Sequence, residues 1–530
     1  MGQVITNSTT LSYARESSLG VLPGSPDWKE LEPNSTGAFG ASLTKVPRSP
    51  ISKQRQRRKG TVVGSDVAND YDADLTIDSM VDFCEAFLFT NAKNADLTFR
   101  GANVTSSGFT IPSATAAQAA KLQFTSGGPI SLLYASGYAI TGNNGIKPLT
   151  VDVASTDTVM EFSGAAAETA PTNAEVSVMG IRAEAGDLDV AVASGIATVT
   201  SGNNAATNNI DFTTIGITVG QRVHIGGMTA ANRFGSTAGG SNDSFGSGRV
   251  RTIAAGEITL DKIDATLTAS DGTNTGSAGS LVAVDILFGR FARNVSIDNA
   301  DYAVISHTFE QSLPNLFETE PPTPLASPNG YEYVRGAIAS VLTWNLPLRN
   351  KSDATFAFIA TQADDPVDDA SRESGASSAR LPLFTEAFNT SADFFRLRIA
   401  NVDDTGLLSD FKDLTLTINN NVSPENVLGV QGARYINVGN FDLNVVGQAL
   451  FTEATVPAKI SGNVTVSADW TLKNNDGAIA VDVPSATIGS DGKEYPVNET
   501  VRINLDLEAF IDSFFGSSMS VSFFPQFPTS

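Results

Sequence analysis

The sequence predicts a mainly β protein: β-sandwich or barrel domains with short packing helices, plus two small inserted β-barrel-like modules. Three observations carry this expectation. Apolar and polar residues alternate in Leu414-Thr415-Leu416-Thr417-Ile418, Phe441-Asp442-Leu443-Asn444-Val445 and Val501-Arg502-Ile503-Asn504-Leu505, the pattern of strands with one buried face. Charged residues make up 17% of the chain, below the roughly 25% of an average globular protein. Ser, Thr, Asn and Gly supply the remaining polarity, which suits sheet surfaces and turns. A chain of 530 residues exceeds what one core serves and divides into several domains.

Taken in order, residues 1–60 read as extended and turn-rich, because Gly20, Pro23, Gly24, Pro26, Pro33 and Gly37 forbid long helices. A basic run from Ser49 to Lys59 is followed by strand-like Thr61-Val62-Val63 and an acidic stretch from Asp66 to Asp74. A helix starts near Asp78, read as its N-cap, and closes around Phe89. Residues 1–105 form the first part of a large β domain, which 288–400 completes with strands and a polar loop. Between them lie two modules, 106–182 and 183–287. Each shows an aromatic residue, a strand ending in Gly, a Gly/Asn turn and a period-two strand, the grammar of a small antiparallel barrel or sandwich. The stretch Asp364–Arg380 lacks periodicity and reads as a long mobile loop. Residues 401–530 form a second large β domain.

Two segments echo one another. Asp74-Leu75-Thr76-Ile77-Asp78-Ser79-Met80-Val81-Asp82 corresponds to Asn504-Leu505-Asp506-Leu507-Glu508-Ala509-Phe510-Ile511-Asp512. Each reads as a strand end running into an amphipathic helical turn, with packing residues Met80, Val81 and Cys84 in one copy and Phe510, Ile511 and Phe514 in the other. Duplication of such a unit lets one chain supply two equivalent walls of a ring.

Composition excludes several functions. With 34 Lys and Arg against 57 Asp and Glu, the net charge is −23, so the chain cannot coat DNA by neutralising phosphates. The basic residues Lys53, Arg55, Arg57, Arg58 and Lys59 read instead as one side of a charge-complementary contact with another subunit. Cys84 is the one cysteine, which leaves no disulfide framework and no cysteine-based zinc site. His224 and His307 pair with no nucleophile at an interpretable spacing, and nucleophile elbows, Walker loops and HExxH helices are absent. The acidic run Asp364-Asp365-Pro366-Val367-Asp368-Asp369 has no glycine where a calcium loop turns, and reads as a solvated loop. No enzymatic activity, cofactor or metal site is expected. No segment has the ~18–20 apolar residues of a membrane helix, and the N-terminal residues do not read as a secretion signal.

Several stretches resemble the tail tube (major tail) proteins of long-tailed, non-contractile bacteriophages of the siphovirus type. They are Ala14 to Pro26 with Trp28 and Leu31, Ser49 to Gln56 leading to Gly64, Asp211 to Gly227, Arg290 to Asn294, Leu414 to Asn421, and Tyr435 to Gly447. The resemblance implies subunits in rings stacked into a tube, with an inner wall past which phage DNA slides without specific binding; members with one tube domain form hexameric rings, and the duplicated segment places this chain with the members that carry two. Fused pairs of tube domains imply a homotrimer that imitates a hexamer. Tape measure, tail terminator and distal tail proteins are the implied partners, the virion tail the implied location, and the bacterial cytoplasm the place of assembly. A sliding surface needs carboxylates and neutral polar groups, so Asp70, Asp72, Asp74, Asp442, Asn444 and Asn504, the outward members of alternating strands, are the candidate lumen residues. The competing readings are a β-rich surface adhesin or carbohydrate-binding protein, and a polysaccharide-active enzyme. The enzyme needs paired carboxylates in an aromatic-lined cleft, whereas Trp28, Trp344 and Trp470 stand far apart in sequence.

Overall fold

In the computed structural model the chain is mainly β, with 49% of its residues in strands and 8% in helices. Described are residues 4–528, apart from 5, 50, 52, 54–55, 112–114, 155–156, 172, 203–206, 236–243, 271–280, 315, 318–327, 384, 402–405, 409, 453–455 and 491. Among these the sheets are antiparallel and none closes into a barrel. The chain divides into two compact units, each drawing on three separate stretches.

The first unit combines Met1–Thr90, Ala303–Thr390 and Lys412–Gln448. Leu11–Arg15 lies between Trp28–Leu31 and Ser306–Pro314. From Ser306–Pro314 the sheet passes to the long strand Pro328–Leu346, which also pairs Asp353–Ala360 and Phe411–Asn419. Asp353–Ala360 pairs Arg58–Asp74, and that strand in turn carries Pro33–Thr36 and Ala41–Arg48. Alternation sends Tyr71, Ala73, Phe356, Phe358, Leu342, Trp344, Leu414 and Leu416 inward, all of them buried. Phe83 sits at the centre of an aromatic cluster, with ring centroids 4.6 Å from Tyr13, 5.5 Å from Phe356 and 5.6 Å from both Phe358 and His307.

Two short helices, Ile77–Val81 and Phe83–Phe87, replace the single helix expected from Asp78 to Phe89. The cap is Thr76, whose hydroxyl accepts from Ser79 N while the Ser79 hydroxyl accepts from Thr76 N, both at 3.0 Å. Asp78 falls in the first turn, where its carboxylate takes the buried Lys29 ammonium at 2.7 Å. Met80 and Cys84 are buried and Val81 is half-buried.

Asp364–Arg380 is tied down rather than loose. Val367 pairs with Tyr331 and Asp368 with Gly330 across a short strand. Arg335 bridges Asp364 at 2.5 Å and Glu373 at 2.7 Å, and Arg372 reaches the buried carboxylate of Glu310 at 2.6 Å. These partners lie far off in sequence, so local polarity alone misreads the segment.

The second unit combines Asn91–Tyr302, Ser391–Phe411 and Ala449–Ser530. Residues from both expected modules share one ten-stranded sheet, joined where Glu175–Arg182 pairs with Asp285–Leu287. They also share one hydrophobic cluster running from Leu97 to Phe288. Strand Thr98–Arg100 joins the same sheet through Glu175–Arg182. The rest of the unit pairs Phe394–Asn401 with Val466–Asn474, then Gly477–Ser490, which carries both Arg502–Ala509 and Ser520–Phe524.

The helical turn expected at Phe510, Ile511 and Phe514 is absent. Strand Arg502–Ala509 keeps its pairing through Ala509 opposite Ala486, and a side-chain-stabilised turn follows. The Asp512 carboxylate accepts from Phe514 N at 2.8 Å and Phe515 N at 2.9 Å, and from the Ser485 hydroxyl at 2.6 Å. Gly516, at φ +64, closes the turn in the left-handed region. Phe510, Ile511 and Phe514 are 41%, 63% and 53% exposed, and Phe515 is the buried aromatic. Phe510→Ala is therefore expected to change stability by no more than about 0.5 kcal/mol, where a buried phenylalanine loses about 3–5 kcal/mol. Urea unfolding of the variant checks this.

Candidate functional site

Two features of the first unit stand out: a polar sheet face and a projecting hairpin. On the face, Asp70, Asp72 and Asp74 point away from the core while Asn69, Tyr71 and Ala73 point into it. Across the pairing, Asp70 faces Ala357, Asp72 faces Thr355 and Asp74 faces Asp353. The next strands continue the face with Thr343 opposite Thr417 and Asn345 opposite Thr415. No lysine or arginine occupies an outward position of 66–74, 353–359, 341–345 or 415–419.

Local hydrogen bonds hold the carboxylates in place. Asp72 accepts from Ser35 at 2.7 Å and Thr355 at 2.6 Å. Asp74 takes Lys351 at 2.6 Å and also accepts from Asn34. Gly37 donates its N–H to the Asp70 carbonyl at 2.8 Å, and a Cβ there would meet the Asp70 carboxylate at 2.1 Å. Glycine is therefore what allows the loop to lie under that side chain. Of the other candidates, Asp442 is exposed and accepts from Asn421 at 2.6 Å. Asn444 is half-buried, and Asn504, in the second unit, is half-buried and donates to Glu494 at 2.9 Å.

The hairpin joins Ala41–Arg48 to the first half of Arg58–Asp74. All eight residues of Ala41–Arg48 are exposed, so neither face of this ribbon is covered. Leu43, Val46 and Val63 are large exposed apolar residues along it. At its far end Arg48 stands directly opposite Arg58, a like-charge pairing that destabilises an isolated ribbon. Lys53, Arg57, Arg58 and Lys59 are exposed beside it, whereas Arg55 lies outside the described residues. No ion pair engages Arg48, Lys53, Arg57, Arg58 or Lys59 among the described residues.

The histidines form no open catalytic pair. His224 Nδ1 lies 3.0 Å from the Ser247 hydroxyl, an arrangement the sequence spacing did not reveal, but both residues are fully buried. Burial, then Arg233 and Lys473, pulls its pKa down to about 3, so the ring is neutral. Among the described residues no three His, Cys, Asp or Glu side chains converge to hold a metal ion. No described helix is long and apolar enough to cross a membrane.

Sequence reasoning missed the buried charges. Glu16 accepts from Gly20 N, Gly336 N and the hydroxyls of Ser306 and Thr308 at 2.6–2.8 Å. Arg222 is 1% exposed within a carboxylate cluster. Nothing local in the sequence marks either as interior.

The first unit thus presents an exposed two-stranded ribbon and a polar sheet face on an antiparallel β fold. The family model described as phage tail tube protein matches residues 230–509. The chain belongs to that family and is a structural component of the phage tail. No curated protein matches it.

Proposed function

We propose that this chain assembles with copies of itself into stacked rings that form the tail tube of a siphovirus-type phage, the conduit for genome delivery. The acidic and neutral polar sheet face carries the reading. Asp70 and Asp72 with Thr355, Thr343 and Thr415 offer DNA carboxylates and neutral polar groups, and Lys351 at the edge of the face is engaged by Asp74, so phosphates are repelled rather than held. Asp442, Asn444 and Asn504 are proposed for the same wall. Tape measure, terminator and distal tail proteins are the proposed partners, with assembly in the host cytoplasm.

The hairpin supplies the contact between copies. A ribbon with both faces bare is stable when another surface covers it, and its basic end selects an acidic partner. An element order that occurs twice supports a homotrimeric ring. The exposed hairpin at 41–66 leads through Arg58–Asp74 into helix Ile77–Val81, and the ribbon Ser423–Asn426/Ala433–Asn437 leads through Asp442–Leu450 into helix Val456–Ser461. Both ribbons belong to the first unit, so one chain offers two such ribbons to its neighbours, as a subunit filling two of six ring positions would.

Changing Arg57, Arg58 and Lys59 together to glutamate is expected to abolish tubes in negative-stain micrographs while leaving far-UV circular dichroism unchanged, since all three are exposed. Normal tubes from that variant would remove the hairpin from the contact. Cryo-electron microscopy of the wild type counts the chains: three per ring agrees with two tube domains each, and six refutes it.

A further inference from the structure

One lysine and two aspartates of the first unit are enclosed together. Lys29 belongs to strand Trp28–Leu31 and stands opposite Tyr13 across the strand pair. Asp78 and Asp82 are four residues apart, and Asp82 keeps helical dihedrals, so one face of the segment turns both toward the lysine. Lys29 Nζ lies 2.7 Å from Asp78 Oδ1 and 3.7 Å from Asp82 Oδ2. The other oxygen of Asp78, Oδ2, accepts from Leu383 N at 3.1 Å. Asp82 Oδ2 accepts from the Tyr13 hydroxyl at 3.0 Å and has Arg380 at 3.9 Å. The side chains of Lys29, Asp78 and Asp82 are 4%, 9% and 14% exposed, so water has little access to any of them.

A buried ion pair by itself needs no chemistry to explain it. Here the two oxygens of Asp78 are divided between a primary amine group and a fixed backbone donor, and a second carboxylate stands beside the same nitrogen. These are the parts of an acyl transfer: nucleophile, electrophilic carbon with a donor for its developing oxyanion, and proton carrier. Near-attack separations are ~3–3.5 Å, and with Oδ1 at 2.7 Å from Nζ the carbon that bears it is one bond further off. Burial supplies the drive, since both charges lose their hydration in the interior and an amide in their place carries none.

We propose that Lys29 Nζ and Asp78 Cγ join in an intramolecular isopeptide bond. One proton first moves from Nζ to Oδ1 along their hydrogen bond, giving an amine and a carboxylic acid. The Nζ lone pair then forms the N–C bond to Cγ, and the carbonyl electron pair moves to Oδ2, where Leu383 N–H holds it. Asp82 takes a second proton from Nζ and delivers it to the Oδ1 hydroxyl. The Cγ–Oδ1 bond breaks, water leaves, the carbonyl re-forms at Oδ2 and Asp82 is again a carboxylate. Ammonium plus carboxylate has become amide plus water, with no oxidant, reductant or further reactant. The bond closes residues 29–78 into a covalent ring that contains the bare ribbon of Ala41–Arg48 and Arg58–Asp74. A load on that ribbon is then carried between strand Trp28–Leu31 and helix Ile77–Val81 by a covalent bond. The inference does not depend on tube formation.

Intact-mass spectrometry of the purified full chain, followed by tryptic mapping, tests the bond. The wild type is expected one water lighter than its sequence, with the peptides of Lys29 and Asp78 recovered as one branched species and no cleavage after Lys29. Lys29→Arg, prepared in the same way, is expected at its full sequence mass. Asp82→Asn keeps the Lys29–Asp78 pair, and its loss of water, followed over time after refolding, is expected to be about 10²–10⁴-fold slower, the usual worth of a positioned proton carrier. The wild-type mass decides even where a variant fails to fold: a wild type that stays at its full sequence mass overturns the proposal. So does a one-water loss confined to a single peptide, as a cyclic imide gives, or a cross-link that maps to other residues. An Asp82→Asn chain that reacts at the wild-type rate removes Asp82 from the proton transfer.

Discussion

Replacing Arg222 with methionine is expected to destabilise the second unit by about 3–5 kcal/mol, because it leaves the buried Asp482 carboxylate without its ion-pair partner. The guanidinium donates to both oxygens of Asp482, at 2.8 and 3.3 Å, and reaches Asp469 at 3.4 Å. It also donates to the Lys262 carbonyl at 3.2 Å. Asp469 is shared with Arg396 and Arg398. Burial alone would raise its pKa, and the three arginines outweigh burial and hold it below the usual range. Burial likewise works against the Arg222 charge, and Asp482 and Asp469 more than restore it. The cluster ties residue 222, from the inserted segment, to strands Val466–Asn474 and Gly477–Ser490, so its loss loosens that packing as well as the ion pair. Lys121–Asp96 is the contrast, with side chains 28% and 42% exposed, where Lys121→Met is worth about 0–1 kcal/mol. Urea unfolding of both variants separates the cases; equal small losses would mean that water reaches the Arg222 cluster.

The two variants show which part of the molecule a sequence discloses. Period-two alternation at 414–418, 441–445 and 501–505 names the strands and their buried faces, because side-chain parity is a local property. The same parity is why Asp70, Asp72 and Asp74 are legible as outward-facing before any pairing is known. Depth is not local. Arg222 stands in an ordinary Gln-Arg-Val-His stretch, and only sheet packing shows that its charge is enclosed. The turn at Asp512 was illegible for another reason: Phe510, Ile511 and Phe514 have helical spacing, but so few residues cannot repay helix nucleation. A carboxylate accepting two backbone N–H groups then decides the geometry. At Asp364–Arg380 the acidic composition suggested solvation, while Arg335, Glu310 and Tyr331 supply partners from other strands.

Acid is expected to weaken the first unit through His307. Its ring lies among Tyr13, Phe83, Phe309 and Phe358, with centroids 5.6–6.3 Å away, and Nδ1 has no hydrogen-bond partner. Burial, then Arg15, pulls its pKa from 6.5 down to about 3, against a smaller opposing pull from Asp82. Between those values the unfolded chain binds a proton that the folded chain refuses. The contribution is therefore fully present above pH 6.5 and is lost as pH falls toward 3. The slope is about 1.4 kcal/mol per pH unit within that window. His307→Leu removes the titrating group while keeping an apolar side chain of similar size, so at pH 7 it should lie within about 1.5 kcal/mol of the wild type. Urea unfolding at pH 7, 6, 5 and 4 should show the wild type losing ground to the variant at each step below 6.5, most steeply between pH 6 and 4. Parallel curves for the two proteins would mean that His307 already carries its proton in the folded state, and the aromatic cluster around Phe83 would then have to admit water.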